Sequence, residues 1–128
     1  MEYGFDHLHL RCQDLEGAVD FYVKMLGGEV VKRFEVNGMP IVRVVVGGTN
    51  IAFSPITKNL SITVPADEPR WGAYQIGFTV ADLEQAMAEL KAKGGKFKNE
   101  PFDAAPGVRA VFMEGPDGIE IELMQVGN

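Results

Sequence analysis

An α+β fold made of two β-α-β-β-β modules is what this sequence predicts, and two observations carry that expectation. The first is an echo of the chain within itself at a fixed offset. His7-Leu8-His9-Leu10-Arg11-Cys12-Gln13-Asp14-Leu15-Glu16, followed by Ala18, is answered by Gln75-Ile76-Gly77-Phe78-Thr79-Val80-Ala81-Asp82-Leu83-Glu84, followed by Ala86. This places His7 opposite Gln75 and Glu16 opposite Glu84, and the match runs on to Gly27 against Gly95. The second observation is that an alternating run, a helical run, a glycine exit and further β-rich runs follow in the same order twice.

Taken in order, residues 5–12 alternate and read as a strand. Asp14 supplies an N-cap for a helix over about 15–26, with Leu15, Ala18, Val19, Tyr22 and Leu26 at helical spacing. Gly27-Gly28 ends it. The runs 29–36, 41–46 and 51–54 read as strands, separated by the hairpin signals Asn37-Gly38 and Gly47-Gly48. Residues 55–73 carry Pro55, Pro65 and Pro69 and read as a connection, with a short strand at 61–64. The second module opens with a strand over 74–80. Asp82 then caps a helix to about Lys93, Gln85 completes a capping box, and Gly94-Gly95 closes it. Strands near 96–99, 108–114 and 119–125 follow, the last two joined by Gly115-Pro116-Asp117-Gly118. Residues 1–128 are expected to form a single domain, with module 1 at about 5–55, a linker at about 56–73 and module 2 at about 74–126.

Composition narrows the function classes. The chain has 128 residues, of which 46% are hydrophobic and 23% charged, as in an ordinary globular protein. A net charge of −6 argues against a protein that tracks nucleic-acid phosphates. No apolar run approaches the roughly 20 residues needed to span a bilayer, so no membrane partner is expected. The N-terminus lacks a signal-peptide pattern, and a single cysteine, Cys12, forms no internal disulfide; both fit a cytoplasmic location.

Strand alternation sorts the remaining residues into faces. Leu8, Leu10 and Cys12 oppose His7, His9 and Arg11. Ile76, Phe78 and Val80 oppose Gln75, Gly77 and Thr79. Ile119, Ile121 and Leu123 oppose Glu120, Glu122 and Met124. The apolar faces are expected to pack on the helices. The other faces collect both histidines, an arginine, a glutamine and two glutamates, ligand types that suit a divalent metal, although simple exposure to water also explains them. Aligning Ile51-Ala52-Phe53 with Ile121-Glu122-Leu123 gives Glu122 the counterpart Ala52.

The chain resembles the vicinal oxygen chelate superfamily, which includes glyoxalase I, methylmalonyl-CoA epimerase, extradiol dioxygenases and fosfomycin-resistance proteins. The resemblance rests on Phe5-Asp6-His7, on Asp14-Leu15-Glu16 with Phe21-Tyr22 and Leu26-Gly27, and on the closing Gly115-Pro116-Asp117-Gly118-Ile119-Glu120-Ile121-Glu122-Leu123. It implies a glyoxalase-like fold in which the paired modules form a curled sheet around a cleft that holds a metal. It places the first-strand ligand on His7, the fifth-strand ligand on Gln75 and the last-strand carboxylate on Glu122. The fourth-strand ligand falls on Ala52, which coordinates nothing; dioxygenases and fosfomycin-resistance enzymes also manage without it. Arg11 falls on a glutathione-carboxylate arginine of glyoxalase I enzymes, whereas the glutathione-contacting asparagine falls on Ile56.

The reading that follows is a metal-dependent lyase or isomerase, closest in pattern to lactoylglutathione lyase-like proteins, acting on a small oxygenated substrate. A divalent ion (zinc, nickel, iron, manganese or cobalt) would be held by His7, Gln75 and Glu122. Glu122 or His9 would move the proton, and Arg11, His9, Ser54 and Trp71 would contact substrate. A homodimer is expected from the same resemblance. The rival readings are a metal-free, ligand-sequestering protein of the bleomycin-resistance kind and a ring-cleaving dioxygenase.

Overall fold

Both helices begin where an aspartate side chain meets an unpaired backbone N–H. Asp14 accepts from Gly17 N–H at 3.0 Å and starts α1 (Leu15–Lys24); Asp82 accepts from Gln85 N–H at 3.0 Å and starts α2 (Leu83–Ala92). The computed structural model describes residues 1–2, 4–55 and 71–127, which fall into two compact units, Met1–Thr63 and Val64–Asn128. The expected connecting strand at 61–64 lies outside the described residues, as do Ile56, Pro65 and Pro69.

In the first unit β1 (Leu8–Cys12) precedes α1, and β2 (Glu29–Val36), β3 (Met39–Val46) and β4 (Thr49–Pro55) follow it. The sheet order is β1-β4-β3-β2, with β1 and β4 parallel and the remaining pairs antiparallel. A parallel pair needs a long crossover, and α1 with the β2–β3 hairpin supplies it. The second unit repeats the plan. β5 (Gln75–Thr79), α2, β6 (Phe102–Ala105), β7 (Val108–Glu114) and β8 (Glu120–Val126) give the order β5-β8-β7-β6, with β5 and β8 parallel. The registers also correspond: Leu8 pairs with Ile51, and Ile76 with Ile121. An α+β fold of two β-α-β-β-β modules is therefore what the chain forms.

Each helix covers the apolar face of its own sheet. Ala18, Val19 and Tyr22 of α1 are buried together with Cys12, Val42, Val44, Val46, Ile51 and Phe53. The Tyr22 and Phe53 rings lie 5.0 Å apart. In the second unit Leu83, Met87 and Leu90 of α2 are buried, as are Val111, Met113, Ile121 and Leu123. Each large side chain removed from water contributes about 1.5–3 kcal/mol before chain entropy is counted. Gln125 of β8 ties the second helix down, its Oε1 accepting the Leu83 N–H at 2.7 Å.

Four sequence expectations need correction. β1 starts at Leu8, so His7 precedes the strand proper. Gln85 does not close a capping box, because its amide donates down the helix to Glu89 Oε1 at 3.1 Å. The expected strand at 96–99 is reduced to one bridge, Phe97 to Met113, and the strand forms at Phe102–Ala105 instead. Asn99 Oδ1 takes the Phe112 N–H at 3.0 Å in place of a backbone acceptor, and Pro101 has no N–H to continue a ladder. Finally, Gly27 corresponds in structure to Gly94 and not to Gly95: both are left-handed, with φ of 71° and 90°. The second helix exits with one residue fewer, and Gly28 and Gly95 then each donate their N–H back to the helix, to Tyr22 O at 2.9 Å and Leu90 O at 2.8 Å.

Close approach explains the glycine at this exit. A Cβ on Gly28 would lie 2.9 Å from Tyr22 O and from methyl carbons of Val44 and Val46. Gly28→Ala should lower stability by about 1–3 kcal/mol, the usual cost of overpacking. It would appear as a lower urea midpoint at unchanged slope. Gly4→Ala, where an added Cβ meets nothing within 4 Å, should stay within about 0.5 kcal/mol of the parent.

Candidate functional site

The non-helical face of the first sheet is set by its register. Side chains directly opposite one another share a face, and Lys32, Arg43, Ala52 and His9 form one such row across all four strands. Arg11 and Ser54 pair in the next row on that face. Asp6 and His7 sit just ahead of β1 and join this group through Arg43. These residues bring three strong cations and two imidazoles together with the Asp6 carboxylate, and Glu29, opposite Val45, lies on the same face.

His7 Nδ1 lies 2.6 Å from Asp6 Oδ2, and Arg43 Nη1 donates to the same oxygen at 3.3 Å. The short contact assigns the Nδ1 proton to the Asp6 bond, which leaves Nε2 of the neutral ring with its lone pair. Arg43 Nη2 comes within 3.4 Å of Nδ1, so two donors converge on one carboxylate. The hydrogen bonds from His7 and then Arg43 hold the Asp6 carboxyl below the ordinary aspartate range. Since β4 lies between β1 and β3, the Arg43 side chain passes over β4 to reach Asp6. The small Ala52 on that strand leaves room for it.

His9 and Ser54 form the second pair. His9 Nε2 lies 2.7 Å from Ser54 Oγ, and Ser54 is 2% exposed. No other described residue bonds the serine, so its O–H donates to Nε2. His9 as a residue is exposed, yet the Nε2 edge rests against a buried group. Desolvation comes first in lowering the His9 pKa, followed by the positive surroundings of His7, Arg11 and Arg43. His9 and Ser54 line a pocket of about 680 Å³ within this unit, together with Arg11. Val36, Met39 and Ile41 form its apolar wall, and Asn37, at the β2–β3 turn with φ of 52°, completes it.

The second unit places the other candidates on one face of its sheet. Gln75 is opposite Glu120, and Glu122 is opposite Gly77 on one side and Phe112 on the other. Gln75 Nε2 donates to Glu120 Oε2 at 2.7 Å, while Lys98 Nζ donates to Glu120 Oε1 at 3.2 Å. That leaves the Gln75 amide oxygen uncommitted. No described residue bonds or pairs with the Glu122 carboxylate. It lies over Gly77, where an added Cβ would come 3.5 Å from Glu122 Oε1. Trp71 is fully exposed and belongs to this unit. Thus Arg11, His9 and Ser54 come together in the first unit, and Gln75 and Glu122 share a sheet face in the second.

Asp6, Arg43 and Glu120 are what sequence reasoning missed. Arg43 had a usable signal, because alternation along β3 sets it apart from the buried Val42 and Val44. Glu120 falls on the polar face by alternation, but its partners Gln75 and Lys98 come only with the structure.

The fit to a metal can be judged from these donor atoms. No three His, Cys, Asp or Glu side chains cluster among the described residues. His7 Nε2 is open and its Nδ1–H is held by a carboxylate, an arrangement that commonly orients metal-binding imidazoles. With Gln75 Oε1 and the Glu122 carboxylate, the nitrogen and oxygen donors suit a borderline or hard divalent ion. The set fits.

Comparison with known proteins decides the family. The model of the Glyoxalase/Bleomycin resistance protein/Dioxygenase superfamily matches residues 4–123. The chain belongs to that superfamily. A probable lactoylglutathione lyase of Synechocystis is 26% identical over 132 residues, covering 95% of each protein. A probable chloroplastic lactoylglutathione lyase of Arabidopsis thaliana is 26% identical over 123 residues; the match takes in 94% of this chain but only 35% of that longer protein. In structure, a glyoxalase family protein from Bacillus cereus matches with a TM-score of 0.78 at 19% identity, over 97% of this chain and 94% of that one. Among the described residues no helix is long and apolar enough to cross a membrane.

The lowered His9 pKa sets a measurable expectation. Protons reach His9 more readily in the unfolded chain, so its share of stability is complete above about pH 6.5. That share falls as acid titrates the unfolded ring first. In an NMR titration His9 should show a midpoint below the usual histidine value. Arg11→Met, which removes a neighbouring positive charge, should raise it. An unchanged midpoint in that variant would contradict the electrostatic assignment.

Proposed function

We propose that this superfamily member is a lyase or isomerase acting on a small oxygenated organic substrate. The observation that carries the reading is the His9–Ser54 pair, 2.7 Å apart, in a pocket beside Arg11. A lowered pKa keeps the His9 imidazole neutral near pH 7, as a proton acceptor requires. Ser54 already directs its O–H at Nε2, so it passes a substrate proton to His9 by giving up its own. Arg11, which no carboxylate of the described residues pairs, offers a fixed positive charge to an anionic group of the substrate.

His7 through Nε2, Gln75 through its amide oxygen and Glu122 would hold the divalent ion. When bound, that ion supplies Lewis-acid stabilisation of two neighbouring substrate oxygens. Without it, the Glu122 carboxylate serves as the second candidate base. A cytoplasmic homodimer completes the proposal, and sedimentation at micromolar concentration tests its assembly.

A second reading, metal-free sequestration of a ligand, is favoured by Ala52 in place of a carboxylate and by Arg43 lying across it. Metal analysis of tag-free protein purified without chelator separates the two. The first reading expects about one divalent ion per chain, its loss in His7→Ala and Glu122→Gln, and tighter binding in Gln75→His because imidazole is the stronger donor. His9→Ala should leave stability within about 1 kcal/mol. Turnover should fall by at least the hundredfold typical of a lost proton-transfer group. Full turnover by His9→Ala would remove His9 from the mechanism.

A further inference from the structure

The pocket of the first unit is polar at one end and apolar along the other, and that division constrains what fills it. At the polar end stand Arg11, His9 and Ser54, on the adjacent parallel strands β1 and β4, with Arg11 and Ser54 directly opposite in register. With Ser54 donating to His9 Nε2, the neutral ring carries its proton on Nδ1, a second donor on the strand that bears Arg11. The apolar end is the β2–β3 hairpin, which contributes Val36, Met39 and Ile41. Asn37 at the hairpin turn adds an amide to the lining.

The charge count is decisive. Among the described residues the lining holds one guanidinium and no carboxylate, so these residues match a single negative charge and offer nothing to a substrate ammonium. Burial of a charged ligand group without a partner is costly. A glutathione conjugate brings two carboxylates and an ammonium, of which this lining pairs one. A volume of about 680 Å³ leaves space beyond a carboxylate for a branched aliphatic or aromatic group against Val36, Met39 and Ile41.

Resting on the enzymatic reading above, we infer that the substrate is a small monocarboxylate with a compact apolar group, its carboxylate bound by Arg11 and His9 and its apolar group by the β2–β3 hairpin, not a glutathione adduct. A 2-oxo acid of this kind also carries the neighbouring oxygens that the proposed chemistry requires.

Calorimetric titration of the full chain with 4-methyl-2-oxopentanoate, its methyl ester and glutathione tests this, both with chelator and with added manganese. The acid should bind in both conditions, the ester and glutathione at least tenfold more weakly. Arg11→Met should cut affinity for the acid at least tenfold without changing that for the ester. Met39→Asp should weaken the acid through the opposite wall. Both side chains are outside the packed cores, and circular dichroism on each variant confirms folding. The inference is overturned by no measurable binding of the acid, by glutathione binding as tightly, or by an Arg11→Met variant that binds the acid normally. Binding of the acid without its turnover would overturn the enzymatic reading and leave the ligand class standing. Turnover of a glutathione adduct would do the reverse.

Discussion

Parallel pairing of the first strand of each module with the last is the constraint on which everything else depends. Because strand side chains alternate, a slip of one residue in that register would turn a whole strand over. Leu8 opposite Ile51 and Ile76 opposite Ile121 prevent it, since a slip would drive these apolar residues to the outer face and charged ones under the helices. The helices supply the energy for this choice. Tyr22 against Phe53 and Leu83 among Ile121 and Leu123 reward only one register. His9, Arg11 and Ser54 gather in one pocket as a by-product of that burial.

Much of the fold was legible because its signals are local or repeated. Asp14 and Asp82 cap the helices that periodicity predicts, and the strands of the first module appear nearly where alternation puts them. The expected strand at 96–99 failed for an equally local reason: an asparagine side chain can replace a backbone acceptor, and alternation does not register that exchange. The helix exits were aligned one residue out, because equal spacing was assumed where one loop is shorter. Only left-handed φ values at Gly27 and Gly94 reveal the true correspondence.

The candidate site was legible by residue type and less so by partnership. Face assignment from alternation correctly grouped His9 with Arg11 and set both apart from Leu8 and Leu10. The hydrogen bond from Ser54 to His9 depends on which residues of β1 and β4 stand opposite, and a single strand read alone does not contain that. The same holds for Arg43, which joins Asp6 and His7 by reaching over a neighbouring strand. Its role exists only once the strand order is known. Gln75 and Glu120 likewise become partners through register.

The two modules also distribute bulk in opposite ways at matching positions. In the first, a large His9 stands beside a small Ala52; in the second, a small Gly77 stands beside a large Glu122. Opposed Cβ atoms on neighbouring strands are only about 4.5–5.5 Å apart, so within each parallel pair the small residue gives its large partner room. Divergence of the duplicated halves is therefore epistatic. Converting one arrangement into the other requires two exchanges, and the singly changed intermediates are either crowded or hollow. Neighbouring sites of this kind do not add independently. The symmetry of the backbone thus persists across the two modules while the side chains at matching positions differ in size and charge.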